Sequence, residues 1–126
     1  MAKRKILIID DEEVFAQMVK LNLEDTGQYQ VRVETKGSQA LATAQEFGPD
    51  LIFLDVIMPD VDGGEVAYWI ERDEKLKSVP IVFLTAVVRK QEETIQDGII
   101  AGHPHPFIAK PVGVKELLDC INRCIE

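Results

Sequence analysis

A run of apolar residues that ends in a single carboxylate constrains the fold of this chain more than any other feature. The run Leu51-Ile52-Phe53-Leu54 leads directly into Asp55, and a loop containing Pro59 and Gly63 follows. A continuous apolar run between turn signals is typical of a strand that is buried on both faces. Asp55 should therefore stand at the carboxyl end of a central strand, where an unpaired charge costs free energy. We expect other polar groups to be placed around it.

The same unit, a short apolar strand followed by a helical stretch, recurs along the chain. The predicted strands are 5–9, 29–34, 51–54, 81–84 and 107–109. The predicted helices cover about 14–23, 40–47, 64–73, 90–96 and 114–125. Regular strand–helix alternation predicts an α/β fold in which right-handed crossovers build a doubly wound parallel sheet with helices on both faces.

Length and charge limit the classes of function. The 126 residues, 46% of them hydrophobic, predict one domain spanning residues 1–126. A formal net charge of −8 argues against non-specific binding to nucleic acid or to an anionic membrane surface. We find neither a signal peptide nor an apolar run near the ~18 residues of a membrane span, so we expect a cytoplasmic protein. Cys120 and Cys124 lie four residues apart on a predicted helix, too far for a relaxed disulfide, and should be free.

Polar residues stand where the predicted strands end. The first strand ends in Asp10 and Asp11, the third in Asp55, the fourth in Thr85 and the fifth in Lys110. In an open α/β sheet, ligands bind beyond the carboxyl ends of the strands, where the strand order reverses. If the strand order is 2-1-3-4-5, the three carboxylates meet in one cleft beside the hydroxyl and the ammonium.

Three neighbouring carboxylates repel one another and need positive charge nearby. Lys110 supplies one unit, and a hard divalent cation such as Mg²⁺, for which Mn²⁺ would substitute, supplies the rest. Such a site is equipped for phosphoryl transfer, with Asp55 as nucleophile, Lys110 neutralising oxygens and Thr85 donating a hydrogen bond. Each residue also has a structural interpretation, because an Asp pair after a strand often caps a helix. The coincidence of all five at strand ends favours a site.

Four motifs together resemble the receiver domain of two-component response regulators. They are Ile6-Leu7-Ile8-Ile9-Asp10-Asp11-Glu12, Phe53-Leu54-Asp55-Val56-Ile57-Met58-Pro59 with Asp62-Gly63, Pro80-Ile81-Val82-Phe83-Leu84-Thr85-Ala86, and Lys110-Pro111. The resemblance covers about residues 5–125 and implies a CheY-like, flavodoxin-like sheet of order 2-1-3-4-5 with five helices.

The resemblance implies a phosphoacceptor and a metal site. Asp55 would accept a phosphoryl group from a phosphohistidine of a sensor histidine kinase or a histidine phosphotransfer protein. Asp10 and Asp11 would bind Mg²⁺ together with Asp55 and the backbone carbonyl of Ile57.

The resemblance also implies a switch. Thr85 and Lys110 would contact the phosphoryl oxygens, and Thr85 would move toward the phosphoryl group. Phe107, at the place of the family's rotamer switch, would then turn inward. This movement would change the surface of the fourth helix, fifth strand and fifth helix, which a downstream protein or effector domain reads. The Lys110–Pro111 peptide bond is cis in this family.

Several residues depart from the usual receiver pattern. Phe107 lacks the hydroxyl of the common tyrosine, and His103 and His105 lie in an unusual proline-containing segment before the last strand. Ile57 and Val87 are apolar where many receivers are polar, so we hypothesise that the acyl phosphate is long-lived. The apolar pair at 87–88 also favours a partner or a phosphorylation-dependent dimer.

Two other functions remain open. One is a Mg²⁺-dependent phosphohydrolase with an aspartyl-phosphate intermediate, although Ile57 stands where such enzymes commonly have a second acid. The other is a pseudo-receiver that binds partners without phosphorylation. We expect a switch rather than a turnover enzyme. The sequence leaves open the cognate kinase, the output, and whether the chain is free-standing or part of a longer protein.

Overall fold

The computed structural model describes residues 3–85, 95–96, 99–100, 106–110 and 113–125. In chain order its strands and helices are β1 (Arg4–Ile9), α1 (Glu13–Glu24), β2 (Tyr29–Glu34), a 3-10 helix (Gly37–Gln39), α2 (Ala40–Phe47), β3 (Leu51–Asp55), α3 (Gly63–Glu71), β4 (Ile81–Thr85), β5 (Ile95–Gln96), β6 (Ile99–Ile100), β7 (Phe107–Ala109) and α4 (Val114–Ile125).

Five parallel strands form one sheet in the order β2-β1-β3-β4-β7. Because β7 is the fifth strand of this sheet along the chain, the predicted order 2-1-3-4-5 is confirmed. The chain runs outward from β1 to β2 and then returns to place β3 on the other side of β1. The order therefore reverses between β1 and β3, where such sheets bind ligands.

The helices cover both faces of the sheet, as the alternation of strands and helices predicts. Side chains of a strand point alternately to opposite faces. In β1, Ile6 and Ile8 join a core with α1 and α4, whereas Leu7 and Ile9 join a core with α2 and α3. Both faces of the central strands are therefore buried under helices, which explains their unbroken apolar sequences.

The fourth of the five predicted helices needs correction at its end. Four α-helices are present in the part of the chain that the structure describes. Residues 95–96, the predicted end of the helix over 90–96, form β5, which pairs antiparallel with β6. The signal was available in the sequence, because an Asp-Gly pair between short apolar segments favours a two-residue hairpin. The rest of that predicted helix lies outside the described residues.

The apolar residues of α1 do not all face the core. Ala16, Val19 and Leu23 are buried, but Val14 is 86% and Leu21 is 66% exposed. On α4, both cysteines are free, as the sequence predicts. Among the described helices, none is long and apolar enough to cross a membrane.

Candidate functional site

The register of the sheet brings the predicted carboxylates together. In the pairing of β1 with β3, Ile9 lies opposite Leu54. The next residues along the two strands, Asp10 and Asp55, therefore stand side by side at the point where the strand order reverses. Both are buried, with 0% and 5% of their surface exposed.

Asp11 completes a cluster of three acids, as the sequence predicts. One carboxylate oxygen each from Asp10, Asp11 and Asp55 lies within 4.8 Å of the other two. All three are hard oxygen donors at a spacing that lets one cation contact them together. This donor set fits Mg²⁺ or Mn²⁺, which prefer carboxylate and water oxygens.

The two carboxylate oxygens of Asp10 make different contacts. Oδ1 accepts a hydrogen bond from the backbone N–H of Glu12 at 2.9 Å, which orders the turn into α1. Oδ2 lies 2.8 Å from Lys110 Nζ as an ion pair. Within the described residues, no donor makes a well-aligned hydrogen bond to that buried oxygen. Asp10 thus serves both the local structure and the cleft.

Lys110, directly after β7, supplies the predicted positive charge. Its Nζ lies 2.7 Å from Glu12 Oε1 and 3.7 Å from Asp55 Oδ1, in addition to its pair with Asp10. Only 8% of its side chain is exposed. Burial lowers the pKa of Lys110, but its pairing with Asp10 and Glu12 outweighs that effect, and the pKa lies above its usual value.

The pKa of the Asp55 carboxyl group lies well above its usual value. Its pKa is raised from 3.8 to about 7, mainly by burial and further by the charge of Asp10 and a hydrogen bond with Asp11. The charge of Lys110 and the backbone N–H of Ile57 oppose it. In the protein without a cation, the opposing groups do not compensate for the burial. The carboxylate of Asp55 therefore gains strongly from any further positive charge in the cleft.

The loop after β3 is built close against the strand end. The Gly63 N–H donates to the Val56 carbonyl at 2.8 Å. A Cβ on Gly63 would collide with the Asp55 carbonyl oxygen and crowd Val56. Asp62 then caps α3 by accepting from Gly64 N–H at 3.1 Å. The glycine allows α3 to start directly behind the phosphoacceptor candidate.

The other predicted site residues are placed as follows. Thr85 ends β4 and pairs with Ala109, the residue before Lys110. Phe107 begins β7 and packs half-buried against the core under α2 and α3. Ile57 lies in the loop after β3 and is 61% exposed. The carbonyl role of Ile57 and the switch roles of Thr85 and Phe107 stay predictions.

Further predictions fall on residues beyond the described ranges. These are the cis Lys110–Pro111 peptide bond, the His103–His105 pair, and the apolar residues Val87 and Val88.

Sequence reasoning missed two neighbours of Lys110. Glu12 accepts a hydrogen bond from its ammonium, and the ring of Phe15 lies 4.8 Å from it. Both follow the Asp10-Asp11 pair within one helical turn. That proximity to the acids is a signal in the sequence, but the contacts themselves are with Lys110, which is almost 100 residues away in the sequence.

Comparisons with known proteins agree with this architecture. Residues 6–122 match the response regulator receiver domain family. The chain is 31% identical over 119 residues to the polar-differentiation response regulator DivK of Brucella ovis, covering 94% of each chain. It is 37% identical over 114 residues to the DNA-binding transcriptional regulator RpaA of Synechocystis, covering 90% of this chain and 46% of RpaA. A structure of the Vibrio cholerae chemotaxis protein CheY4 superposes with a TM-score of 0.82 at 32% identity, covering 98% and 99% of the two chains. The chain belongs to the response regulator receiver domain family.

Proposed function

We propose that this protein is a phosphorylation switch in which Asp55 accepts a phosphoryl group from a phosphohistidine of a sensor histidine kinase or a histidine phosphotransfer protein. The observation that carries the proposal is the convergence of three carboxylates within 4.8 Å and of Lys110 Nζ at 3.7 Å from Asp55 Oδ1. Family membership supports it, because residues 6–122, which match the receiver domain family, include the three acids and Lys110.

In the proposed reaction an Asp55 carboxylate oxygen forms a bond to phosphorus, and the bond between phosphorus and the imidazole nitrogen breaks. The electron pair of that bond leaves with the imidazole. Lys110 stabilises negative charge on the phosphoryl oxygens, and Thr85, at the end of β4, donates a hydrogen bond to one of them. Asp10, Asp11, Asp55 and the Ile57 carbonyl would hold Mg²⁺, which supplies the charge neutralisation that lets Asp55 ionise.

The output follows from the new charge. A phosphoryl group adds negative charge and acceptor oxygens beside Lys110 and the end of β4. We infer that Thr85 and Phe107 respond and change the surface around β7 and α4 that a partner reads. The protein would act in the cytoplasm as a switch with slow loss of the group rather than as a turnover enzyme.

The test is incubation with acetyl phosphate, with and without Mg²⁺, followed by intact-protein mass spectrometry. We expect a gain of one phosphoryl group that requires Mg²⁺ and is absent in Asp55→Asn. Asp25→Asn is the matched control, because Asp25 is an exposed acid at the other end of α1. Rapid steady hydrolysis of small phosphoesters would favour a phosphohydrolase, and no modification under any condition would favour a pseudo-receiver.

A further inference from the structure

Glu12 is an acidic residue of the cleft that the proposed function does not use. It lies between the Asp10-Asp11 pair and the first residue of α1, and 59% of its side chain is exposed. Its Oε1 accepts a hydrogen bond from Lys110 Nζ at 2.7 Å. An exposed carboxylate thus holds the cation that would face an incoming phosphoryl group.

We infer that Glu12 competes with the incoming phosphoryl group for Lys110 and thereby slows the loading of Asp55. The competition has an effect only if Asp55 accepts a phosphoryl group, so it rests on the proposed function. Glu12 acts as a positioning residue, since it touches Lys110 and not the reacting atoms.

The distances show how the ammonium is shared. A lysine ammonium carries three N–H donors. Lys110 Nζ lies 2.7 Å from Glu12 and 2.8 Å from Asp10 Oδ2, but 3.7 Å from Asp55 Oδ1. The last distance is an ion-pair distance beyond the range of a hydrogen bond. In the unmodified protein, the two nearer carboxylates therefore hold the cation more tightly than Asp55 does.

Lys110 does not need Glu12 to stay in the cleft. Asp10 is fully buried and pairs with it, and the ring of Phe15 lies 4.8 Å from its ammonium. The Lys110 side chain is itself 92% covered, since only 8% is exposed. Loss of Glu12 should therefore free the ammonium for the phosphoryl group rather than release it to solvent. This decides the direction of the expected effect.

The chemistry of loading sets the size of the effect. With acetyl phosphate, a bond forms between an Asp55 oxygen and phosphorus, the bond from phosphorus to the acetyl oxygen breaks, and acetate leaves with the electron pair. Negative charge is spread over the phosphoryl oxygens in the transition state. Removing a competing carboxylate should therefore accelerate loading by about two- to fivefold, the range of one exposed ion pair.

The kinetic test compares Glu12→Gln and Glu12→Ala with wild type in acetyl phosphate and Mg²⁺, with mass spectrometry following the gain of the phosphoryl group. Glu13→Gln is the control, because Glu13 is the next residue, is also exposed and makes no ion pair with Lys110 in the described structure. We expect both Glu12 variants to load about two- to fivefold faster and Glu13→Gln to match wild type. The advantage should shrink in 1 M salt, where the Debye length is about 3 Å.

Loading of either Glu12 variant at or below the wild-type rate would overturn the competition. Equal acceleration by Glu13→Gln would also overturn it, because the cause would then be the net charge of the protein.

A second measurement does not depend on phosphorylation. Nuclear magnetic resonance of ¹⁵N,¹³C-labelled protein should show a scalar coupling across the hydrogen bond from Lys110 Nζ to the Glu12 carboxylate carbon, and Glu12→Ala should lose it. If wild type accepts no phosphoryl group, the proposed function fails whatever the coupling shows. If wild type is loaded but the coupling is absent, only the role of Glu12 fails.

Discussion

The charge of Asp55 should destabilise the protein when no cation is bound, so Asp55→Asn should be more stable than wild type in EDTA. The reason is the burial of Asp55 beside Asp10, which raises its pKa from 3.8 to about 7. An asparagine keeps nearly the same shape without the charge. Lys110 retains Asp10 and Glu12 as partners at 2.8 and 2.7 Å, so the substitution leaves no isolated ammonium.

The size of the gain follows from the rise in pKa. The rise in pKa from 3.8 to about 7 corresponds to a gain in the free energy of unfolding of at most about 4 kcal/mol for Asp55→Asn at pH 8. Relaxation of the cleft and entry of water reduce this, and we expect about 1–3 kcal/mol. For a chain of this length that gain raises the melting temperature by about 3–10 °C.

The pH dependence has a definite sign. The raised pKa means that, between about pH 4 and pH 7, the folded wild type binds a proton at Asp55 that the unfolded chain has lost. The stability of wild type relative to Asp55→Asn must therefore fall as pH rises through this window and stay constant above it.

Urea unfolding of both proteins from pH 4 to pH 8 in EDTA measures this difference, with Asp25→Asn as the control for loss of an exposed charge. Adding Mg²⁺ at about 100 times its dissociation constant should stabilise wild type by about 2.7 kcal/mol and Asp55→Asn by less. A wild type as stable as Asp55→Asn at pH 8 without metal would refute the reasoning, as would a difference that does not change with pH.

Two further substitutions test the loop after β3. Gly63→Ala should lower the free energy of unfolding by about 1–3 kcal/mol, because its Cβ would collide with the backbone at Asp55. Gly113→Ala is the control, because the space around its Cβ is open, and it should leave the free energy of unfolding nearly unchanged. Equal urea midpoints for the Gly63→Ala and Gly113→Ala variants would contradict the predicted collision. Ile57→Asn should shorten the lifetime of the aspartyl phosphate about two- to tenfold by orienting water with one hydrogen bond. Timed loss of the phosphoryl mass after removal of donor measures this, and an unchanged lifetime would refute it.

The sequence predicts the parallel strands and the polar residues at their ends because both depend on simple local rules. Unbroken apolar runs specify central strands, and parallel strands place their carboxyl ends at one edge. That Asp10 and Asp55 meet follows only with the strand order 2-1-3-4-5, which the resemblance to receiver domains implies. The prediction of helix at 95–96 is wrong, because a short segment carries too few periods to separate helix from strand.

Contacts set by distant residues could not be predicted in this way. Glu12 reaches Lys110 across 98 positions of the chain, and no local pattern specifies that an exposed glutamate turns toward a lysine so far away. The exposure of Val14 and Leu21 is a similar case, because helical spacing shows that residues share a face but not which face is covered.

Two acidic residues of the cleft, the buried Asp10 and the exposed Glu12, contact Lys110 but should tolerate substitution differently. Asp10 is fully buried, bonded through one oxygen to the backbone of the turn and paired through the other with Lys110, so it cannot change without cost to the fold. Glu12 touches the same ammonium from an exposed position where an ion pair contributes little to stability. Substitutions of Asp10 should therefore abolish phosphoryl loading, whereas substitutions of Glu12 should change the rate of loading while the fold persists. A receiver built in this way can be adjusted to the speed of its partner through residues that its stability does not require.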